Sequence, residues 1–191
     1  MTEILLFHHA QGLTAGVVAF ADELRAAGHT VHTPDLYEGR TFDTLDEGVG
    51  HAQSMGFLTV LERGVAAADG LPDDLVYAGF SLGVMPAQRL AQTRPGAVGA
   101  LLLDAAAPPG EFGATWPLGV RLQVHGMDAD PWFAGEDLDA AKALVDGVDG
   151  AELFLYPGDQ HLFADSSLAG HDPEAAKLLT QRVLEFLDDG G

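Results

Sequence analysis

Short apolar runs alternate with longer amphipathic stretches along nearly the whole chain. Glu3 to Phe7, Thr30 to Thr33, Leu75 to Ala78, Val98 to Leu103, Val120 to Val124 and Glu152 to Tyr156 have the length and residue types of buried strands. Between the first two, Ala15 to Ala27 places Val17, Val18, Phe20, Ala21 and Leu24 at helical spacing, with Thr14 as N-cap and Gly28 as the stop. Helices are also expected over about 55–68, 82–90, 137–145 and 173–187. Gly39, Gly48 and Gly50 predict that residues 36–53 are loop with at most short helical turns. Residues 104–119 read as a long Pro/Gly-rich loop carrying Phe112 and Trp116. Strand, helix and strand in alternation predict an α/β fold, a mostly parallel sheet of about six to seven strands flanked by helices in three layers. Ligands of such sheets bind beyond the carboxyl ends of the strands, where His9, Asp35, Ser81, Asp128, Asp130 and His161 fall.

The chain of 191 residues, 47% of them apolar, suits a single domain over 1–191 with a sizeable core. The formal charge of −20, from 29 acidic and 9 basic residues, argues against nucleic acid or an anionic membrane as partner. Those acids are spread along the chain, as on a solvated surface. With no cysteine there is no disulfide, thiolate metal site or cysteine nucleophile. The first apolar run, Ile4 to Phe7, is too short for a signal peptide or a membrane span, so a cytoplasmic protein is expected.

The third apolar run ends in Gly79-Phe80-Ser81-Leu82-Gly83. A serine in G-x-S-x-G sits on a strained bend between strand and helix that exposes its hydroxyl, which makes Ser81 the candidate nucleophile. Gly79 and Gly83 read as positions where a side chain would strike neighbouring backbone. Pro86 falls inside the helix that should follow, so either its first turn is irregular or its regular part begins at Pro86.

A serine hydroxyl needs a neighbouring base at neutral pH. Hydrolases with this elbow bring their partners in the chain order serine, acid, histidine. His161, after the sixth apolar run, is the expected base, while His171 reads as flanking or capping the last helix. For the acid, Asp128 and Asp130 compete. Pro131 pushes the backbone of Asp130 out of the helical region and favours it, although capping of a turn at Pro131 would explain the same residue. The amides of Leu82 and Ala10 are the expected oxyanion donors. His9, Gln11 and Trp132 are expected to line the substrate pocket. His8 and His9 are adjacent on an extended segment and point opposite ways, which suits a shared metal poorly even with His32 or Asp35. One of the pair is expected at the pocket and the other packed behind it, with no metal and no cofactor. Phe112, Trp116, Trp132 and Phe133 read equally as a pocket wall or as core aromatics.

His8-His9-Ala10-Gln11-Gly12-Leu13, Pro34-Asp35-Leu36-Tyr37, Gly79 to Gly83, His125-Gly126 through Asp130-Pro131 and Tyr156-Pro157-Gly158 through His161 resemble, in order, the dienelactone hydrolase family of the α/β-hydrolase superfamily. The resemblance covers nearly the whole chain. It implies an α/β-hydrolase fold without a cap domain, and hydrolysis of small carboxylic esters or lactones through an acyl-enzyme. It puts Ser81 in the nucleophile's place, Asp130 in the acid's, His161 in the base's, and Ala10 and Leu82 in those of the oxyanion donors. Three departures stand out. The best-known members have cysteine at the elbow, where this chain has Ser81, and a glutamate in the first loop, where it has His9. They hold the dienelactone carboxylate with arginines, whereas here the fourth residue after His161 is Asp165 and Arg40 is the only basic residue in a loop near the expected pocket. A small-molecule ester or lactone is the expected partner of a monomer or homodimer. A catalytically silent protein of the same fold, binding a ligand or a protein, is the alternative.

Overall fold

In a computed structural model of the chain, which describes residues 1–113 and 115–190, six strands pair in one all-parallel sheet. They are β1 (Glu3–Phe7), β2 (Thr30–His32), β3 (Leu75–Phe80), β4 (Gly99–Leu103), β5 (Arg121–Met127) and β6 (Glu152–Tyr156), in the order β2-β1-β3-β4-β5-β6. The helices are α1 (Ala15–Ala26), α2 (Leu45–Met55), α3 (Phe57–Ala66), α4 (Val84–Thr93), α5 (Glu136–Gly147) and α6 (Pro173–Asp188), with a 3-10 turn over Ser81–Gly83. No helix among the described residues is long and apolar enough to cross a membrane.

The apolar runs are continuous because both sheet faces are covered. On one face Leu5, Phe7 and Tyr77 pack with Val60, Leu90 and Leu144 of α3, α4 and α5. On the other, Ile4, Leu6 and Val76 pack with Leu24 of α1 and Val183 of α6, as the alternation of side chains along a strand requires. The chain passes from β1 to β2 on one side and then to β3 on the other. That reversal leaves a crevice at the carboxyl ends of β1 and β3, the usual ligand position in open α/β sheets.

The segment read as loop over 36–53 contains a full helix, α2. Thr44 and Glu47 close it with a reciprocal capping box, which offsets the roughly 1 kcal/mol that a glycine costs inside a helix. A Cβ on Gly48 would lie 2.2 Å from the carbonyl oxygen of Ala10, so this glycine lets α2 approach the loop after β1. Gly56, at φ 87°, separates α2 from α3, and the helix expected from 55 starts at Phe57 instead. β5 runs past Val124 to Met127, with His125 and Gly126 paired to Phe154 and Leu155.

Candidate active site

β3 is buried along its whole length and delivers Ser81 at φ 47°, a left-handed conformation that a non-glycine residue rarely takes. The bend is tight. A Cβ on Gly79 would lie 2.1 Å from the Gly83 carbonyl oxygen, and one on Gly83 would lie 2.6 Å from that of Phe7. The first turn after Ser81 is 3-10, and the regular helix begins at Val84, two residues before Pro86. Pro86 thus occupies the first α-turn, where amides lack intrahelical partners and a missing N–H costs little.

Three side chains from three strand ends meet here. The Ser81 hydroxyl lies 2.9 Å from Nε2 of His161, and Nδ1 of His161 lies 2.6 Å from Oδ2 of Asp130. The Nδ1 hydrogen bond to a carboxylate fixes the tautomer and leaves Nε2 free to accept from the hydroxyl. Asp130 is wholly buried, and its other oxygen accepts the Trp132 amide at 2.9 Å. The competing Asp128 is exposed and accepts the Gly158 amide at 3.2 Å, which ties the turn after β6 to the end of β5. His171 is occupied with the carbonyl of Phe163, and its neighbour Asp172 caps α6.

Ala10 follows β1 and Leu82 follows β3, each in the connection just beyond its strand's carboxyl end. Leu82 is the second residue of the 3-10 turn, where an amide has no acceptor within its own helix, and no acceptor is found for Ala10 N–H among the described residues. Beside His161 opens a cleft of about 310 Å³ lined by Gln11, Asp43, Trp132, Asp159 and Gln160 among others. Gln11 is anchored there through its side chain to the Phe42 carbonyl. The Trp132 ring lies 5.9 Å from the His161 ring and is half exposed, while Phe133 turns into the core beneath Gly126. Trp116 packs against the core and donates its indole N–H to the Val120 carbonyl. Of the four aromatics considered for a pocket wall, Trp132 alone lines this cleft. A larger groove of about 580 Å³ lies along α1 and α6 but includes none of Ser81, Asp130 and His161. Chemistry rather than size locates the site.

His9 departs from its expected place at the pocket. Its ring is fully buried, with Nδ1 accepting the Gln11 amide at 3.2 Å and Nε2 donating to Asp165 at 2.7 Å. The two departures from the family pattern therefore meet each other. Asp165 also accepts from the hydroxyls of Thr14 and Ser167 and from the Ser167 amide. Burial alone would raise its pKa, but these hydrogen bonds together outweigh burial and hold it at about 2. His8 is likewise occupied, accepting the Leu36 amide and donating to the His9 carbonyl, and burial lowers its pKa to about 4.

Sequence reasoning missed Asp104, the residue that follows β4. It is buried, at φ 62°, and neither carboxyl oxygen finds a hydrogen-bond partner among the described residues. Burial pushes it up to about 7, His161 draws it back down, and Asp130 pushes it further up.

A sequence model of the dienelactone hydrolase family matches residues 1–190. A pimeloyl-acyl-carrier-protein methyl ester esterase of Cronobacter sakazakii is 31% identical over 120 residues, which are 63% of this chain and 42% of that protein. The matched stretch thus spans less than half the relative's length. Among solved structures, a dienelactone hydrolase-like promiscuous phosphotriesterase from metagenomic libraries superposes with a TM-score of 0.78 at 17% identity, over 100% of this chain and 87% of that one. A dienelactone hydrolase from Anabaena variabilis gives 0.69 at 19% identity, over 99% and 87%. A propionate-bound esterase of Thermogutta terrifontis gives 0.70 at 16%, over 100% and 84%. The fold is that of the α/β hydrolases, with six parallel strands where six to seven were expected and no cap domain among the described residues.

Proposed function

The chain belongs to the dienelactone hydrolase family, and on that premise we propose that it is a serine hydrolase of small carboxylic esters or lactones. Ser81 is the nucleophile, His161 the general base and acid, and Asp130 the group that orients His161. The observation that carries this reading is the unbroken path from the Ser81 hydroxyl through both His161 nitrogens to a buried Asp130 carboxylate.

The steps follow from that path. His161 Nε2 takes the hydroxyl proton as Ser81 Oγ bonds to the ester carbonyl carbon, and the carbonyl electrons move onto oxygen. The Leu82 and Ala10 amides receive that oxyanion, each such donor being worth about a hundred- to a thousandfold in rate. Asp130 stays ionised and stabilises the imidazolium. Collapse breaks the bond to the leaving oxygen, which takes the proton from His161 and departs as an alcohol. His161 then draws a proton from water, the resulting hydroxide attacks the acyl-enzyme, and a second collapse frees the acid and restores Ser81.

The cleft favours uncharged or cationic esters. Asp43 and Asp159 line it, and no lysine or arginine does among the described residues. Asp165, in the family's arginine position, is committed to His9. The carboxylate of a dienelactone therefore has no cation to meet it.

A fluorophosphonate probe is expected to label the protein at Ser81, with label lost in Ser81→Ala and His161→Ala. Hydrolysis of short nitrophenyl esters should fall about ten-thousandfold or more in either variant. Labelling that persists in Ser81→Ala overturns the assignment. A folded protein that neither labels nor turns over esters is the silent binding protein instead.

A further inference from the structure

His8 is a buried polar side chain that the steps above do not use. It follows β1, and a Cβ on Gly83 would lie 2.7 Å from its carbonyl oxygen. The segment after β1 therefore runs against the bend that carries Ser81 and Leu82. Three residues on, Gln11 lines the cleft beside His161, so Ala10 lies on the short path between elbow and cleft. The peptides on either side of Ala10 are each held by a histidine ring. The His9 carbonyl accepts the Nδ1–H of His8 at 2.7 Å and the Gly12 amide at 3.0 Å. The Gln11 amide donates to Nδ1 of His9 at 3.2 Å, and His9 is itself held by Asp165. The Leu36 amide donates to Nε2 of His8 at 3.0 Å, which leaves the ring proton on Nδ1. In a trans peptide the C=O and N–H point in opposite directions, and the described residues contain no cis bond. Fastening the His9 carbonyl thus fixes the direction of the Ala10 N–H. That amide is 3% exposed and has no acceptor among the described residues, an unfavourable state for a buried donor unless an outside oxygen completes it.

We propose that His8 is a positioning residue for the oxyanion site, which acts through the His9 carbonyl to hold the Ala10 amide aimed at the substrate's carbonyl oxygen. The proposal rests on the hydrolase reading above and on Ala10 as one of its two oxyanion donors. A donor aimed in advance needs no reorganisation when the oxyanion forms, and its effect on rate comes from that. Without the His8 N–H, Gly12 alone holds the His9 carbonyl. The peptide can then rock about its flanking dihedrals, and the Ala10 N–H is less often in line with the oxyanion.

Two substitutions separate the two bonds of the ring. The side-chain nitrogen of an asparagine can stand in for Nδ1, and the side-chain oxygen of a glutamine for Nε2. His8→Asn therefore keeps the bond to the His9 carbonyl and gives up Leu36, and His8→Gln does the reverse. With a nitrophenyl ester, kcat should fall about a hundredfold in His8→Gln with KM nearly unchanged, and should stay within about threefold of the parent in His8→Asn. Equal losses in the two variants, or parent activity in His8→Gln, would show a purely structural His8 and overturn the proposal. Should His8→Gln not fold, NMR of the parent decides. On reaction with a fluorophosphonate the Ala10 amide proton should move downfield as it meets the phosphonyl oxygen. The His9 carbonyl carbon should stay where it is, because the peptide is already set. A His9 carbonyl that shifts on labelling means a peptide that turns into place, and an Ala10 amide that does not respond means a donor aimed elsewhere; either overturns the proposal. A parent that neither labels nor hydrolyses esters overturns the hydrolase reading itself, and the proposal with it.

Discussion

Asp165 and Asp104 are equally hidden from solvent, at 0% and 1% exposure, yet the chain treats them in opposite ways. Asp165 receives hydrogen bonds from His9, Thr14 and both donors of Ser167, and lies against the first turn of α1, where a Cβ on Gly16 would overlap its Oδ1. Asp104 receives none among the described residues. Burial pushes both upward; donors pull one of them down to about 2, and their lack leaves the other at about 7. The number of donors aimed at a buried carboxyl thus decides whether it serves as a fixed anion or a titrating one. The first kind ties the loop after His161 to the loop after β1, while the second stands at the level of Ser81.

The largest expected effect comes from emptying the satisfied site. Asp165→Ala leaves the His9 Nε2–H and the Thr14 hydroxyl buried without an acceptor, and should lower stability by about 3–5 kcal/mol in urea unfolding at pH 7. A loss under 1 kcal/mol would mean that these donors find other partners and that the contrast is not one of donors.

Next in size is a pH effect of opposite sign at the two sites. Asp104 has a folded pKa raised above its ordinary 3.8, so it has no influence well below pH 4 and destabilises progressively as pH rises toward 7. Between about pH 4 and pH 8 the wild type should lose about 4 kcal/mol relative to Asp104→Asn, read from unfolding curves at both pH values. Asp165 has a folded pKa depressed below 3.8, so its contribution of about 2 kcal/mol is present above pH 4 and is lost as pH falls toward 2. Parallel pH profiles for wild type and Asp104→Asn would remove the titrating carboxyl from the picture.

Much of this contrast lay outside what one sequence can carry. The strands and the elbow were legible because apolar runs of strand length, ending in glycine, admit few other readings, and the order Ser81, Asp130, His161 then followed strand by strand. His9 and Asp165 were each noticed as departures, but they are 156 positions apart, and only folding makes them partners. Asp104 follows Leu101-Leu102-Leu103 and looks like any solvated aspartate at a strand end. What buries it is packing from other strands and loops. The rule that ligands gather at carboxyl ends of strands would have found it, had it been applied to β4 as it was to β1, β3, β5 and β6. α2 was hidden by Gly48 and Gly50, since the reason for the first is the Ala10 carbonyl it must approach. Trp132 and Phe133 are adjacent in an irregular turn, where no periodicity tells which ring faces the cleft and which the core.

The smallest effects separate the donors of Asp165 from one another. The Thr14 hydroxyl does two things, donating to Asp165 and accepting the Val17 amide as the cap of α1, so Thr14→Ala should cost about 2 kcal/mol. Ser167→Ala should cost about 1 kcal/mol, because the Ser167 amide keeps its own bond to the same oxygen at 2.8 Å. The informative quantity is how each loss changes with pH. A hydrogen bond made to a carboxylate weakens when the carboxylate is protonated, so both penalties, read from urea midpoints, should shrink between pH 7 and about pH 2.5. With Asp165 at about 2 the carboxylate is still partly ionised at that pH, so the Ser167→Ala penalty should fall by about half and the Thr14→Ala penalty by a smaller fraction, since it also keeps its capping part. Equal penalties at the two pH values would mean that the hydroxyls serve only local backbone, Ser167 toward the Gly16 amide at 3.1 Å and Thr14 toward Val17. Asp165 would then owe its low pKa to His9 and the Ser167 amide, and the difference from Asp104 would rest on two donors rather than four.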